Sequence, residues 1–121
     1  MKAKSKREPQ LHPRMRVVCG EEIALGPGKV DLLDLIGETG SIREAAERMG
    51  MSYMRAWKLI QTINACFREP LVETIRGGPT QGGATLTATG KKALRLYQQM
   101  ETASREATKP RWKELKSLLR G

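Results

Sequence analysis

Large rings are scarce in this 121-residue chain: Tyr53, Trp57, Phe67, Tyr97 and Trp112 are the only aromatic side chains. A core built here must come from Leu, Ile, Val, Met and Ala, which suits packed helices better than a sandwich of sheets. Histidine is scarcer still. With His12 alone, and with Cys19 and Cys66 in no CxxC spacing, neither a zinc site nor a disulfide framework is indicated, and reduced thiols are the simpler expectation. No apolar run approaches the ~18 residues of a membrane span, and the N-terminal MKAKSKREPQ has cations with no apolar stretch behind them. No membrane association, no export and a cytoplasmic location are expected. Gly78 and Gly83 have the spacing of a phosphate-binding loop, but Ala84-Thr85 follows where lysine and a hydroxyl residue are needed. The reading is therefore no enzyme, no cofactor and no metal.

What is present in excess is positive charge, a net +9. Residues 1–18 carry +5 and residues 105–121 carry +4, while residues 19–104 sum to zero. The basic ends fit either solvated tails or contacts to nucleic acid. Residues 1–13, polar and with two prolines, read as a disordered basic arm, residues 14–107 as one domain, and residues 108–121 as a basic amphipathic tail.

Within the domain, Met15–Val18 and Ile23–Leu25 around Gly20 predict two short strands. After Gly26-Pro27-Gly28, the apolar stripe Val30, Leu32, Leu33, Leu35, Ile36 predicts a first helix that stops at Gly40. Ser41 and Glu44 form a capping box for a second helix ending at Gly50. Ser52 caps a third, with Ala56, Leu59, Ile60, Ile63 and Phe67 on one face, ended by Pro70. Residues 71–76 and 84–86, joined by the glycine-rich GGPTQGG, predict a hairpin. Thr87 then caps a fourth helix over residues 88–107, expected to end at Pro110, with Trp112, Leu115, Leu118 and Leu119 on a separate tail helix.

A short and a longer helix joined through Gly50 have helix-turn-helix form, and the hairpin plus following helix complete a winged helix-turn-helix. The fold class is mainly α with small β: a winged helix-turn-helix, an N-terminal β-hairpin and a long C-terminal dimerisation helix. Met49, Met51, Ala56 and Leu59 should pack between helices, leaving Tyr53, Arg55, Lys58 and Thr62 outward. Trp57 fits the core; Tyr53 fits core or surface. From Arg48 to Arg68 there are four cations and no acid, a sign that suits phosphate. The candidate DNA-binding residues are Ser41, Arg43, Ser52, Tyr53, Met54, Arg55, Lys58, Arg76, Thr80 and Gln81. Among them Ser52 and the first amides of its helix would hold a phosphate. Arg55 would pair with guanine O6 and N7, and Lys58 with backbone phosphate. Double-stranded DNA is the expected partner, read by helix 52–68 and wing 76–84. A winged helix that docks protein or RNA is the alternative.

Ser41-Ile42, Ala45-Ala46, Gly50, Ser52-Tyr53, Ala56-Trp57, the wing GGPTQGGATLT and Gly90 resemble the N-terminal DNA-binding domain of ModE-type molybdate-responsive regulators, whose winged helix is akin to that of LysR regulators. The resemblance covers residues 14–107. It implies a bacterial transcription factor of molybdenum homeostasis, homodimeric through helix 88–107 and the N-terminal strands. Members that sense molybdate use C-terminal oxyanion-binding domains. Only residues 108–121 follow helix four here, so molybdate is not expected to bind this chain.

Overall fold

The computed structural model describes residues 8–75 and 83–120; residues 1–7 of the expected arm and 76–82 of the expected wing lie outside them. Two hairpins and four helices follow in order: β1 (Val17–Cys19), β2 (Glu22–Leu25), α1 (Pro27–Thr39), α2 (Ile42–Met49), α3 (Tyr53–Cys66), β3 (Val72–Ile75), β4 (Gly83–Leu86) and α4 (Ala88–Lys116).

Local chemistry sets most boundaries. Gly20 turns β1 into antiparallel β2 at φ 64°. Pro27 opens α1, where its fixed φ suits a helix and its missing N–H costs no hydrogen bond. Gly40 closes α1 and Gly50 closes α2, both in the left-handed region that only glycine enters cheaply. Past Gly50, the Met51 amide donates to the Ala46 carbonyl at 3.0 Å, so the chain turns at once into α3. Ser41 caps α2 through its hydroxyl, which accepts from the Glu44 amide at 3.0 Å. The reciprocal half of the expected capping box is missing. The Ser41 amide donates instead to Thr39 Oγ1 at 3.1 Å, and the Glu44 carboxylate turns to Arg48 at 3.3 Å.

The core is aliphatic, as the shortage of rings requires. Leu32, Leu33 and Ile36 of α1 meet Ile42, Ala45 and Ala46 of α2, Ala56, Ile60 and Ile63 of α3, and Leu71, Val72, Ala84 and Leu86 of the second hairpin. The one buried ring is Tyr97 of α4, whose hydroxyl donates to the Met15 carbonyl at 2.7 Å. Burial, then the carboxylates of Glu101 and Asp31, push its phenol pKa up. Cys19 and Cys66 are both free thiols, and burial together with neighbouring Cys19 pushes the Cys66 thiol up.

Two expectations need correction. The fourth helix does not end at Pro110 but runs unbroken to Lys116, so Trp112 and Leu115 belong to the same helix as Tyr97. A proline inside a helix removes one amide and crowds the carbonyl four residues back, here that of Glu106. That stretch is solvent-exposed, so water reaches the freed carbonyl. Thr108 Oγ1 donates to the Ser104 and Arg105 carbonyls at 2.7 and 3.3 Å, and strong helix formers flank the site. Trp57 was placed in the core and is instead 38% exposed. Ala56, Ile60 and Ile63 fill the buried side of α3, and residue 57 falls at its margin.

Asn64 joins α3 to the second hairpin. Its Oδ1 accepts from the amides of Leu71 at 2.8 Å and Val72 at 3.3 Å, while Nδ2 donates to the Val72 carbonyl at 3.1 Å. Truncation would leave the amide of fully buried Leu71 unpaired. Asn64→Ala is therefore expected to cost about 2–3 kcal/mol in urea unfolding; a loss below about 0.5 kcal/mol, the scale of an ordinary surface change, would mean water replaces all three bonds.

Candidate nucleic-acid interface

Three elements frame one face. α2 packs against α3, and the Ser41–Gly83 bridge with the Ala84 amide to Gly40 carbonyl bond (3.1 Å) ties the second hairpin to the α1–α2 corner. The N-terminus of α3 follows directly on the Gly50 turn. Ser52 caps it, its Oγ accepting from the Arg55 amide at 3.1 Å, so the amides of Tyr53 and Met54 stay available at the positive end of the helix dipole.

Ser52, Met54, Arg55, Lys58, Leu59 and Thr62 line an open hollow of about 370 Å³ along α3. Arg55 and Lys58 are exposed beside it. Arg43, from α2, lies with its guanidinium carbon 5.0 Å from the centroid of the Tyr53 ring, a cation–π arrangement that fixes one positive group next to the helix start. Tyr53 is thus half-buried: its ring packs on the core edge while its face holds Arg43.

The structure brings Arg43, Ser52, Tyr53, Met54, Arg55 and Lys58 together. Ser41 stands apart, half-buried, with its hydroxyl spent on capping α2. Arg76, Thr80 and Gln81 lie outside the described residues. One member of the expected outward set and one of the four cations differ. Thr62 is half-buried, with its hydroxyl donating to the Lys58 carbonyl at 3.2 Å. Arg48, counted among the four cations, is paired with Glu38 at 3.2 Å and Glu44 at 3.3 Å. The stretch from 48 to 68 contains no acid, but folding supplies two from outside it; with Arg68 exposed beyond the C-terminal end of α3, the cations near the helix start are Arg43, Arg55 and Lys58. Sequence reasoning missed the exposure of Trp57, for which no local pattern exists, and the role of Asn64.

Among the described residues no cluster of three or more metal-ligating side chains occurs, and no helix is long and apolar enough to cross a membrane.

Residues 29–91 match the family of bacterial regulatory helix-turn-helix proteins, lysR family. The chain is 42% identical over 77 residues to the molybdenum-pterin-binding protein MopB of Rhodobacter capsulatus, covering 64% of this chain and 28% of that one. It is 40% identical over 81 residues to the transcriptional regulator ModE of Yersinia pestis, covering 67% and 31%. It is 33% identical over 87 residues to the DNA-binding transcriptional dual regulator ModE of Escherichia coli K12, covering 72% and 33%. The match thus spans about a third of the length of these relatives. Among solved structures, the protein of the CbnR_DBD–DNA complex superposes with a TM-score of 0.55 at 23% identity, over 72% of this chain and 95% of that one, a likeness of fold. The match over residues 29–91 contains α2, the Gly50 turn, α3 with its cationic face, and the second hairpin, and by it this chain belongs to the lysR family of bacterial regulatory helix-turn-helix proteins.

Proposed function

We propose that the chain is a cytoplasmic transcriptional regulator without catalytic activity, which binds an inverted-repeat DNA site as a homodimer. α3 enters the major groove, and the wing, residues 76–84, contributes to DNA binding. The observation that carries this is the Arg43, Arg55 and Lys58 face around a capped helix N-terminus with free amides. It combines point charges and oriented N–H groups for phosphate with one guanidinium near the helix start for a base edge. Dimerisation is supported by apolar side chains the single chain leaves exposed on two elements, Val17, Val18 and Ile23 on the first hairpin and Leu96 and Met100 on α4. A two-fold axis through such a face requires self-complementary contacts and an inverted-repeat site. The likeness to ModE and MopB supports a role in molybdenum homeostasis.

Selection from random duplexes tests the reading: it should recover an inverted repeat with half-sites spaced by whole helical turns. On that site Arg55→Ala should cost about 1–3 kcal/mol and relax the preference at one base pair, whereas Lys58→Ala should weaken selected and random duplexes alike. Equal losses on both kinds of DNA from both variants would reassign Arg55 to the backbone. Recovery of single half-sites bound as tightly as the repeat would overturn the dimer.

A further inference from the structure

The large apolar side chains left exposed on this chain fall into groups. Those on the first hairpin and α4 belong to the face assigned above to a second copy. Between residues 41 and 68 two remain, Met54 at 56% exposure and Trp57 at 38%. A lone exposed apolar residue needs no explanation, but the position of this pair does. Met54 and Lys58, one turn apart, lie on the side of α3 turned away from Ala56, Ile60 and Ile63. Met54 lines the same hollow as Ser52, Arg55 and Lys58, and Trp57, three residues on, neighbours Met54 on the helix surface. An apolar patch bordered by cations at a helix N-terminus suits a polyanion that also carries an apolar feature.

In the major groove that feature is the 5-methyl group of thymine; every other mark that separates the four base pairs there is a hydrogen-bond donor or acceptor. A methionine thioether has no N–H or O–H to donate and is a weak acceptor, so it contributes to base choice chiefly through apolar contact. Its unbranched, polarisable chain adapts to the methyl without a fixed rotamer. We propose that Met54, with the exposed edge of Trp57 beside it, reads the 5-methyl group of one thymine in each half-site. The inference rests on α3 lying in the major groove.

Uracil scanning of the selected duplex tests it, since uracil deletes the methyl and leaves the pairing face unchanged. Uracil at that thymine in a single half-site should weaken binding about four-fold, which corresponds to burying one methylene, ~0.8 kcal/mol. 5-Methylcytosine paired with guanine at that position should retain more affinity than cytosine. In Met54→Ala and Met54→Gln, both expected to fold because the side chain is largely exposed, thymine and uracil should bind equally while the effect of Lys58→Ala persists. A selected half-site without a preferred thymine, uracil tolerated at every thymine, or a discrimination unchanged in both Met54 variants would overturn the inference and leave the DNA-binding reading standing. Absence of duplex binding by the unaltered protein would overturn both.

Discussion

Gly90→Ala is expected to destabilise the domain by more than about 3 kcal/mol, although alanine is the better helix former by up to about 1 kcal/mol. A Cβ on Gly90 would stand 2.1 Å from the carbonyl oxygen of Leu71, 3.0 Å from its carbon and 3.2 Å from its Cα. All three are backbone atoms, so no side-chain rotation relieves the contact. The same carbonyl accepts from the Thr87 amide at 2.9 Å, and Thr87 Oγ1 both caps α4, accepting from the Gly90 amide at 2.9 Å, and donates to the Pro70 carbonyl at 2.7 Å. Moving β3 away drags fully buried Leu71 and its bond to Asn64. Moving α4 away pulls Tyr97 from the core. Overpacking costs roughly 1–3 kcal/mol, and broken capping bonds add about 1 kcal/mol each. Against a total stability of roughly 5–15 kcal/mol this is a large share. In a domain of this size the midpoint of thermal unfolding should fall by roughly 12–24 °C. Gly28→Ala in α1 is the control: nothing lies within 4 Å of its Cβ, so propensity alone acts and stability should hold or rise. The opposite signs make the test sharp. A midpoint for Gly90→Ala equal to or above that of the parent would show that α4 and β3 do not approach this closely.

What the sequence discloses and what it conceals follow from the range of the forces involved. Gly40, Gly50, Ser41 and Ser52 punctuate the helices by chemistry confined to a few residues, so those boundaries can be read locally. The aliphatic core follows from composition and from the spacing of Leu32, Leu33, Ile36, Ile60 and Ile63. Arg48 could be read only in part: Glu44 stands one turn before it on the same helix, but Glu38 reaches it from α1 and only the packing of α1 on α2 brings them together. Trp57 likewise owes its exposure to which sector of α3 the other helices cover. Asn64 offers no local hint that the start of β3 will dock on it. Pro110 misled for the reverse reason: a local rule was applied where exposure and neighbouring helix formers reduce the penalty. At the candidate interface, residue types pointed to α3, while the division between free and neutralised cations needed the fold.

That division leads to the second large effect: affinity for duplex DNA should fall steeply with salt, and the individual cations should contribute unequally. Each phosphate neutralised by Lys or Arg releases a condensed counterion, so the logarithm of affinity falls with the logarithm of salt in proportion to the number of such contacts. With Arg55 on a base edge, Arg43 and Lys58 on each of two protomers give up to four such groups, and at a slope of about 0.9 per contact the expected loss between 50 and 200 mM salt is about 10²-fold. Residues 19–104 carry no net charge, so a dependence of this size has to come from the local face or from the basic ends. Single substitutions separate the two sources. Lys58→Ala should lower the slope by about one per protomer in contact, whereas Arg48→Ala, whose guanidinium already faces Glu38 and Glu44, should leave it unchanged. Both pairs on Arg48 are exposed, so its loss should cost the fold little. If Arg48→Ala lowered the slope as much as Lys58→Ala, its carboxylate pairs would have to open on DNA. If neither did, the charge that meets DNA would reside in residues 1–18 and 105–121. A slope near zero, or no duplex binding at low salt, would remove the case for a DNA-binding face on α3, because released counterions are the one signature that a cationic groove-binding helix cannot avoid.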